Sequence, residues 1–141
     1  MPLLQKIEEN NCQIAIWEMR ESLKKLIPLS NNIDISKLKH ENRKKEFLSS
    51  RLLLNELLPN TEISYNKYGA PEIKNNYFIS ISHSKDLIAI IISKKKVGID
   101  LERINEKALY LSSKFISKEN HLNITKEKAT LIWCCKEAIF K

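Results

Sequence analysis

Two acids stand two residues apart in Val97-Gly98-Ile99-Asp100-Leu101-Glu102. On a strand, positions i and i+2 share a face, so Asp100 and Glu102 form a carboxylate pair. Gly98 leaves room for something to approach the backbone beside them. Two carboxylates side by side repel each other unless a cation lies between them. Hard oxygen ligands of this kind suit Mg²⁺, with Mn²⁺ as the alternative, either of which would bridge to substrate phosphates. A solvated strand end that happens to carry two acids has the same sequence, and it is the plainer reading of this motif taken singly.

Three other groupings could carry chemistry. In Trp133-Cys134-Cys135-Lys136-Glu137-Ala138-Ile139-Phe140-Lys141, helical spacing puts Trp133, Glu137 and Lys141 on one stripe. Glu137 is a candidate third metal ligand or general base. An ordinary Glu–Lys surface pair beside a core tryptophan fits the same spacing. In Ile79-Ser80-Ile81-Ser82-His83-Ser84, a histidine among small hydroxyls could donate to a phosphate. A satisfied turn histidine is the bland equivalent. Finally, Arg43 and Arg51 lie eight residues apart on a helical pattern rich in lysine, where two guanidiniums could grip a phosphate. A solvated helix face would look alike.

The elements that must position these residues are legible in outline. Cys12–Met19 alternates as a strand does, and Arg20–Ile27 reads as a helix stopped by Pro28. Asn31–Ile35 is a loop. Glu41–Leu58 is an amphipathic helix, with Phe47, Leu48, Leu52, Leu54, Leu57 and Leu58 on its apolar side, capped by Ser36 or Asn42 and ended by Pro59. Glu62–Tyr65 is a short strand, and Asn66–Pro71 a tight turn containing Gly69. Strands follow at Tyr77–Ser82, Leu87–Ser93 and Val97–Glu102, joined by hairpin-sized links. The remainder is helical: Glu106–Phe115, a short piece opening at Ser117–Glu119, and a last helix from Thr125, its N-cap, that is still running at Lys141.

Composition narrows the function. The 141 residues carry 24 Lys+Arg against 17 Asp+Glu, a net charge of +7, which favours acidic partners. With two glycines, Gly69 and Gly98, far apart in the chain, neither a dinucleotide-binding fingerprint nor a P-loop can be built. The aromatics fall mostly in apolar patterns rather than among the lysines, so a nucleic-acid partner is not expected. The longest apolar run, Leu87–Ile92, is too short to span a bilayer, and no membrane partner is expected. The first residues show no signal-peptide pattern, and Cys12, Cys134 and Cys135 offer no metal-ligand spacing, so a reducing cytoplasm is the expected location.

Taken in order, RKKEFLSSRLLLNELL, NKYGAP, SISHS, GIDLE and WCCKEAIFK form a series over about Arg43 to Lys141. That series resembles the 4′-phosphopantetheinyl transferases, and among them the Sfp type. The resemblance implies an α+β fold: a pseudo-dimer of two α+β halves with antiparallel sheets, the second C-terminally incomplete. Residues 1–95 would form the N-terminal half, and 96–141 the truncated start of the C-terminal half with the metal motifs. It implies a holo-acyl-carrier-protein synthase activity. The 4′-phosphopantetheine arm of coenzyme A passes to a serine of an apo acyl or peptidyl carrier protein, with release of adenosine 3′,5′-bisphosphate. Asp100, Glu102 and Glu137 would hold Mg²⁺ against the pyrophosphate, and Glu137 would help take the serine proton. Lys141 and Lys136 would neutralise charge on the phosphoryl oxygens. Ser82, His83, Arg43, Arg51 and Lys67 would contact coenzyme A, with Gly69 and Pro71 shaping the turn beside the nucleotide. Two positions depart from the family pattern. Glu46 stands where a basic residue often precedes the Phe-Leu pair, and Ala70 stands for the lysine of a Gly-Lys-Pro turn. The full-length form is expected to be a monomer. The alternative is an inactive fragment that only binds coenzyme A or a carrier protein.

Overall fold

The computed structural model describes residues 3–118 and 123–141. It is an α+β fold with antiparallel sheets. A four-stranded sheet has the order β1-β2-β6-β5, formed by β1 (Leu3–Glu9), β2 (Cys12–Glu18), β5 (Phe78–Ser84) and β6 (Leu87–Ser93). Between β2 and β5 in the chain come α1 (Leu23–Leu29), α2 (Glu41–Leu57) and a two-stranded ribbon of β3 (Ser64–Tyr65) and β4 (Pro71–Glu72). After β6 the chain forms α3 (Glu106–Tyr110), a 3₁₀ turn (Ser112–Lys114) and α4 (Lys126–Phe140). Among the described residues, no helix is long and apolar enough to cross a membrane.

The core forms where α2 crosses one face of the sheet. Leu48, Leu52, Leu53, Leu54 and Leu57 of α2 meet Ala15 and Trp17 of β2 and Ile88, Ile90 and Ile92 of β6. Each fully buried Leu or Ile contributes about 1.5–3 kcal/mol, so this contact outweighs any single polar interaction in the molecule. Trp17 is wholly buried, and its indole N–H donates to Glu21 Oε2 at 3.2 Å, which removes the penalty of burying that donor.

Several elements differ from the sequence expectation. β1 has no counterpart in it, because its apolar spacing is weak. The turn behind it was the stronger signal, since Asn10 and Asn11 adopt φ 52° and 62°, the left-handed pair that a two-residue hairpin requires. Helix α1 runs through Pro28 to Leu29 rather than stopping before it. Pro28 lies in the final turn and forfeits one amide bond, while Ser30 N–H and Oγ both close back onto Leu26 O and Ile27 O. Helix α2 begins at Glu41 as expected, but its N-cap is His40, which makes no side-chain cap bond, in place of Ser36 or Asn42. The expected helix 106–115 breaks after Tyr110 into the 3₁₀ turn. The short helix expected from Ser117–Glu119 leads into residues 119–122, outside the described residues.

The most consequential correction concerns Val97–Glu102, which is not a strand. It runs beside the outer strand β5 but joins no backbone ladder. Ser80 and Ser82, whose side chains share one face of β5, take the place of that ladder. Ser80 Oγ accepts from Ile99 N–H at 3.2 Å, and Ser82 Oγ accepts from Leu101 N–H at 3.0 Å.

Gly98 lies at the tightest point of this arrangement. A β-carbon there would lie 1.8 Å from the carbonyl oxygen of Ala138 in α4. The glycine therefore admits a helix backbone. Gly98→Ala should force the 97–101 segment and α4 apart and destabilise the chain by about 1–3 kcal/mol, the usual cost of overpacking. Urea denaturation would show a lower midpoint, and amide exchange should speed up in Lys126–Phe140 more than in β6. Unaltered exchange in that helix would contradict the contact.

Candidate functional site

The hydroxyl of Ser82 ties three functional groups together. Besides accepting from Leu101 N–H, it donates to Asp100 Oδ1 at 3.2 Å and lies 3.2 Å from Lys141 Nζ. Lys141 also donates to Ile99 O at 3.4 Å and forms an ion pair with Asp100 Oδ1 at 2.7 Å. The Asp100 side chain is only 5% exposed. Its other oxygen, Oδ2, is buried and without a hydrogen-bond partner.

Glu102 is mostly exposed, yet its carboxyl leans on the same cluster. Trp133 Nε1 donates to Glu102 Oε1 at 3.1 Å, and the Trp133 ring meets Phe115 edge-on with centroids 5.3 Å apart. The Glu102 pKa is pushed up, first by desolvation and next by the facing Asp100 carboxylate. The charge of Glu137 adds to the rise, and the Trp133 bond opposes it. Cys134 Sγ donates to Asp100 O at 3.2 Å. Burial, reinforced by the charge of Asp100, pushes that thiol up to about 11, so it stays neutral and is no nucleophile at ordinary pH.

A buried, unpaired carboxylate oxygen beside a second carboxylate of raised pKa is a donor set that a hard divalent cation satisfies. Asp100 and Glu102 therefore fit Mg²⁺ by their chemistry. Among the described residues, however, no three His, Cys, Asp or Glu side chains gather closely enough to enclose an ion. Glu137 reaches Glu102 through its charge rather than as a third wall of a cage.

Beside this cluster opens a cleft of about 1150 Å³, bounded by the 66–73 turn, β5, the Lys96–Gly98 stretch and the end of α4. Gly69 and Pro71 line it, as does Lys141. Gly69 has φ 82°, which its turn requires. Asn66 Oδ1 closes that turn by accepting from Tyr68 and Ala70 N–H at 2.9 and 3.0 Å. Lys67 lies over the Tyr68 ring, 4.9 Å from its centroid.

The remaining candidates lie apart from the acids. His83 Nδ1 is 3.2 Å from Glu46 Oε1, and Arg43 Nη1 is 3.2 Å from Glu46 Oε2, in a smaller pocket of about 220 Å³. Glu46 thus already faces two of the side chains that were expected to take phosphate. Arg51 lies 3.3 Å above the Phe47 ring and donates to Phe47 O and Ser50 Oγ, both at 3.1 Å. It does not join Arg43. Lys136 donates to Phe115 O, away from the acids. The structure therefore brings together Ser82, Asp100, Glu102 and Lys141, gives Glu137 only a charge interaction with Glu102, and leaves Arg43, Arg51, His83, Lys67 and Lys136 outside that cluster.

Sequence reading missed Ser80 as a clamp and Phe115 as the seat of Trp133. The period-two spacing of Ser80 and Ser82 was the available signal for the clamp. Nothing local could announce Phe115, because its partner is eighteen residues away.

Glu102 has a raised pKa when folded, so its linkage favours acid. The folded state holds the proton more tightly than the unfolded one. Stability is therefore highest below the ordinary glutamate pKa of about 4.3 and is lost as pH rises above it. Without divalent cations, Glu102→Gln should be more stable than wild type near neutrality, and the gap should close as pH falls toward 4. Thermal melts across that range in chelator would check this, and a constant gap would refute it.

No family model matches the chain. It is similar to the 4′-phosphopantetheinyl transferase gsp of Aneurinibacillus migulanus, with 28% identity over 106 residues. The match takes in 68% of this chain and 45% of that protein, so the chain spans less than half the length of this curated relative.

Proposed function

We propose that the chain acts as a phosphopantetheinyl transferase of the Sfp type. In this reading it moves the 4′-phosphopantetheine arm of coenzyme A to a serine of an apo acyl or peptidyl carrier protein. The observation that carries it is the Ser82–Asp100–Lys141 cluster, with Glu102 beside it, at the rim of a cleft of about 1150 Å³. Similarity to a named transferase supports it. On this reading residues 1–95 form one α+β half, and 96–141 carry the acids of the next. Three free cysteines and the phosphate-rich substrate are compatible with work in the cytoplasm.

The residues divide the reaction as follows. Asp100 and Glu102 would hold Mg²⁺, with Glu137 adding negative charge beside them. Bound there, the ion would neutralise pyrophosphate oxygens. Glu137 accepts the proton of the carrier serine. The serine oxygen forms its bond to the phosphorus that bears pantetheine, and the bond from that phosphorus to the bridging oxygen breaks. Adenosine 3′,5′-bisphosphate leaves with the electron pair. Lys141 neutralises charge growing on the phosphoryl oxygens, which is where electrostatic preorganisation lowers such barriers most. Gly69 and Pro71 shape the wall of the cleft that faces the nucleotide. His83 and Arg43 would meet a coenzyme A phosphate only by exchanging Glu46 for it. The net charge of +7 suits both coenzyme A and an acidic carrier.

Mass spectrometry of an apo carrier protein incubated with coenzyme A, Mg²⁺ and the chain tests the reading. Gain of the phosphopantetheine mass is expected, with a loss of about 100-fold or more in Asp100→Ala. Coenzyme A binding without mass gain would leave a binding protein in place of a transferase. Absence of both coenzyme A binding and transfer would sink the proposal.

A further inference from the structure

We infer that Trp133 is a positioning residue whose indole N–H holds the Glu102 carboxylate turned toward Asp100, ready to take a divalent cation. This rests on the reading of Asp100 and Glu102 as cation ligands. Two neighbouring carboxylates repel, and a largely exposed glutamate with free rotors would otherwise swing into solvent. Trp133 Nε1 prevents this by donating to Glu102 Oε1 at 3.1 Å. An indole is a donor only and has one N–H. It therefore fixes one carboxylate oxygen and leaves the other open to a cation.

The ring that carries this donor is itself fixed. Phe115 packs edge-on against it at an interplanar angle of 64°. The backbone carbonyl of Phe115 accepts from Lys136, one turn further along α4, so helix and ring seat are tied together. The next residue, Cys134, donates to the backbone carbonyl of Asp100 at 3.2 Å, and Lys141 takes Asp100 Oδ1. Three residues of one helix stripe and its edge thus hold three different atoms of the Asp100–Glu102 segment. Trp133 is 38% exposed, whereas Trp17 in the core is wholly buried. An exposed indole aimed at a carboxylate is an orienting contact more than a packing one.

Mn²⁺ is the probe. Its binding would be measured by the paramagnetic resonance signal of the free ion and by quenching of tryptophan fluorescence. Trp133→Phe keeps the ring contact with Phe115 and removes the N–H. Loss of such an outer partner typically weakens metal binding by about 10-fold or more. The expected result is that loss in Trp133→Phe, with an unchanged circular dichroism spectrum and thermal midpoint. Mn²⁺ should quench wild-type emission and leave the Trp133→Phe emission, now from Trp17 alone, unaffected. Glu102→Gln provides the second line, since it keeps Trp133 and should abolish the quenching.

Unchanged Mn²⁺ affinity in Trp133→Phe, with affinity lost in Asp100→Ala, would overturn the role of Trp133 alone. Weakened affinity accompanied by a collapsed thermal midpoint, or quenching that persists in Glu102→Gln, would also overturn it. A wild-type chain that binds no Mn²⁺ would remove the cation-ligand reading and this inference with it.

Discussion

Two serine hydroxyls substitute for a strand, and the functional end of the molecule depends on that substitution. Outer strand β5 presents Ser80 and Ser82 on the face opposite the α2 core. They accept the backbone N–H groups of Ile99 and Leu101. A backbone ladder there would have made 97–102 a further strand with its side chains alternating above and below. The hydroxyl clamp instead sinks Asp100 against Ser82 while leaving Glu102 near the surface. It also requires α4 to close over the segment, which is feasible only because residue 98 has no side chain.

The electrostatics follow from that burial. Asp100 is nearly out of solvent, and an isolated carboxylate there would be costly. Lys141 and Ser82 compensate one of its oxygens and leave Oδ2 unpaired. Glu102 stands beside it with its own pKa driven up by desolvation and by its neighbour. The cluster is an arrangement with surplus negative potential and one unfilled acceptor. Near His83 the balance differs: a single carboxylate, Glu46, faces Arg43 through one oxygen and the His83 ring through the other. Asp100 Oδ2 is buried without a partner, whereas both oxygens of Glu46 already face side chains of this chain.

Much of the fold could be read from the residues, and the reasons are local. The helix at Glu41–Leu57 announces itself through repeated leucines, and β6 through an uninterrupted aliphatic run. Thr125 and Asn105 cap their helices by accepting from Lys128 and Ala108 N–H, as short polar side chains ahead of helical patterns do. The failures were also physical. β1 lacks a clear alternation, and its existence depends on a turn of two asparagines. Val97–Glu102 has the composition of a strand, but strand identity belongs to a pair of chains, and its neighbour offers hydroxyls in place of a ladder.

For the site, the sequence alone determined which residue types were present and how they were spaced. Asp100 and Glu102 two apart, and Trp133, Glu137 and Lys141 at helical intervals, are facts of the chain. Each interval fixes only the relation of residues within one element. The tertiary structure decided which intervals meet. It set Lys141 on Asp100 across forty-one positions and Trp133 on Glu102 across thirty-one, and it turned Lys136 away to Phe115. It also decided that Gly98 admits a helix, and that Arg43 and His83 share Glu46. Spacing is a short-range property of the covalent chain, whereas charge, burial and hydrogen bonding act across whatever packing brings together.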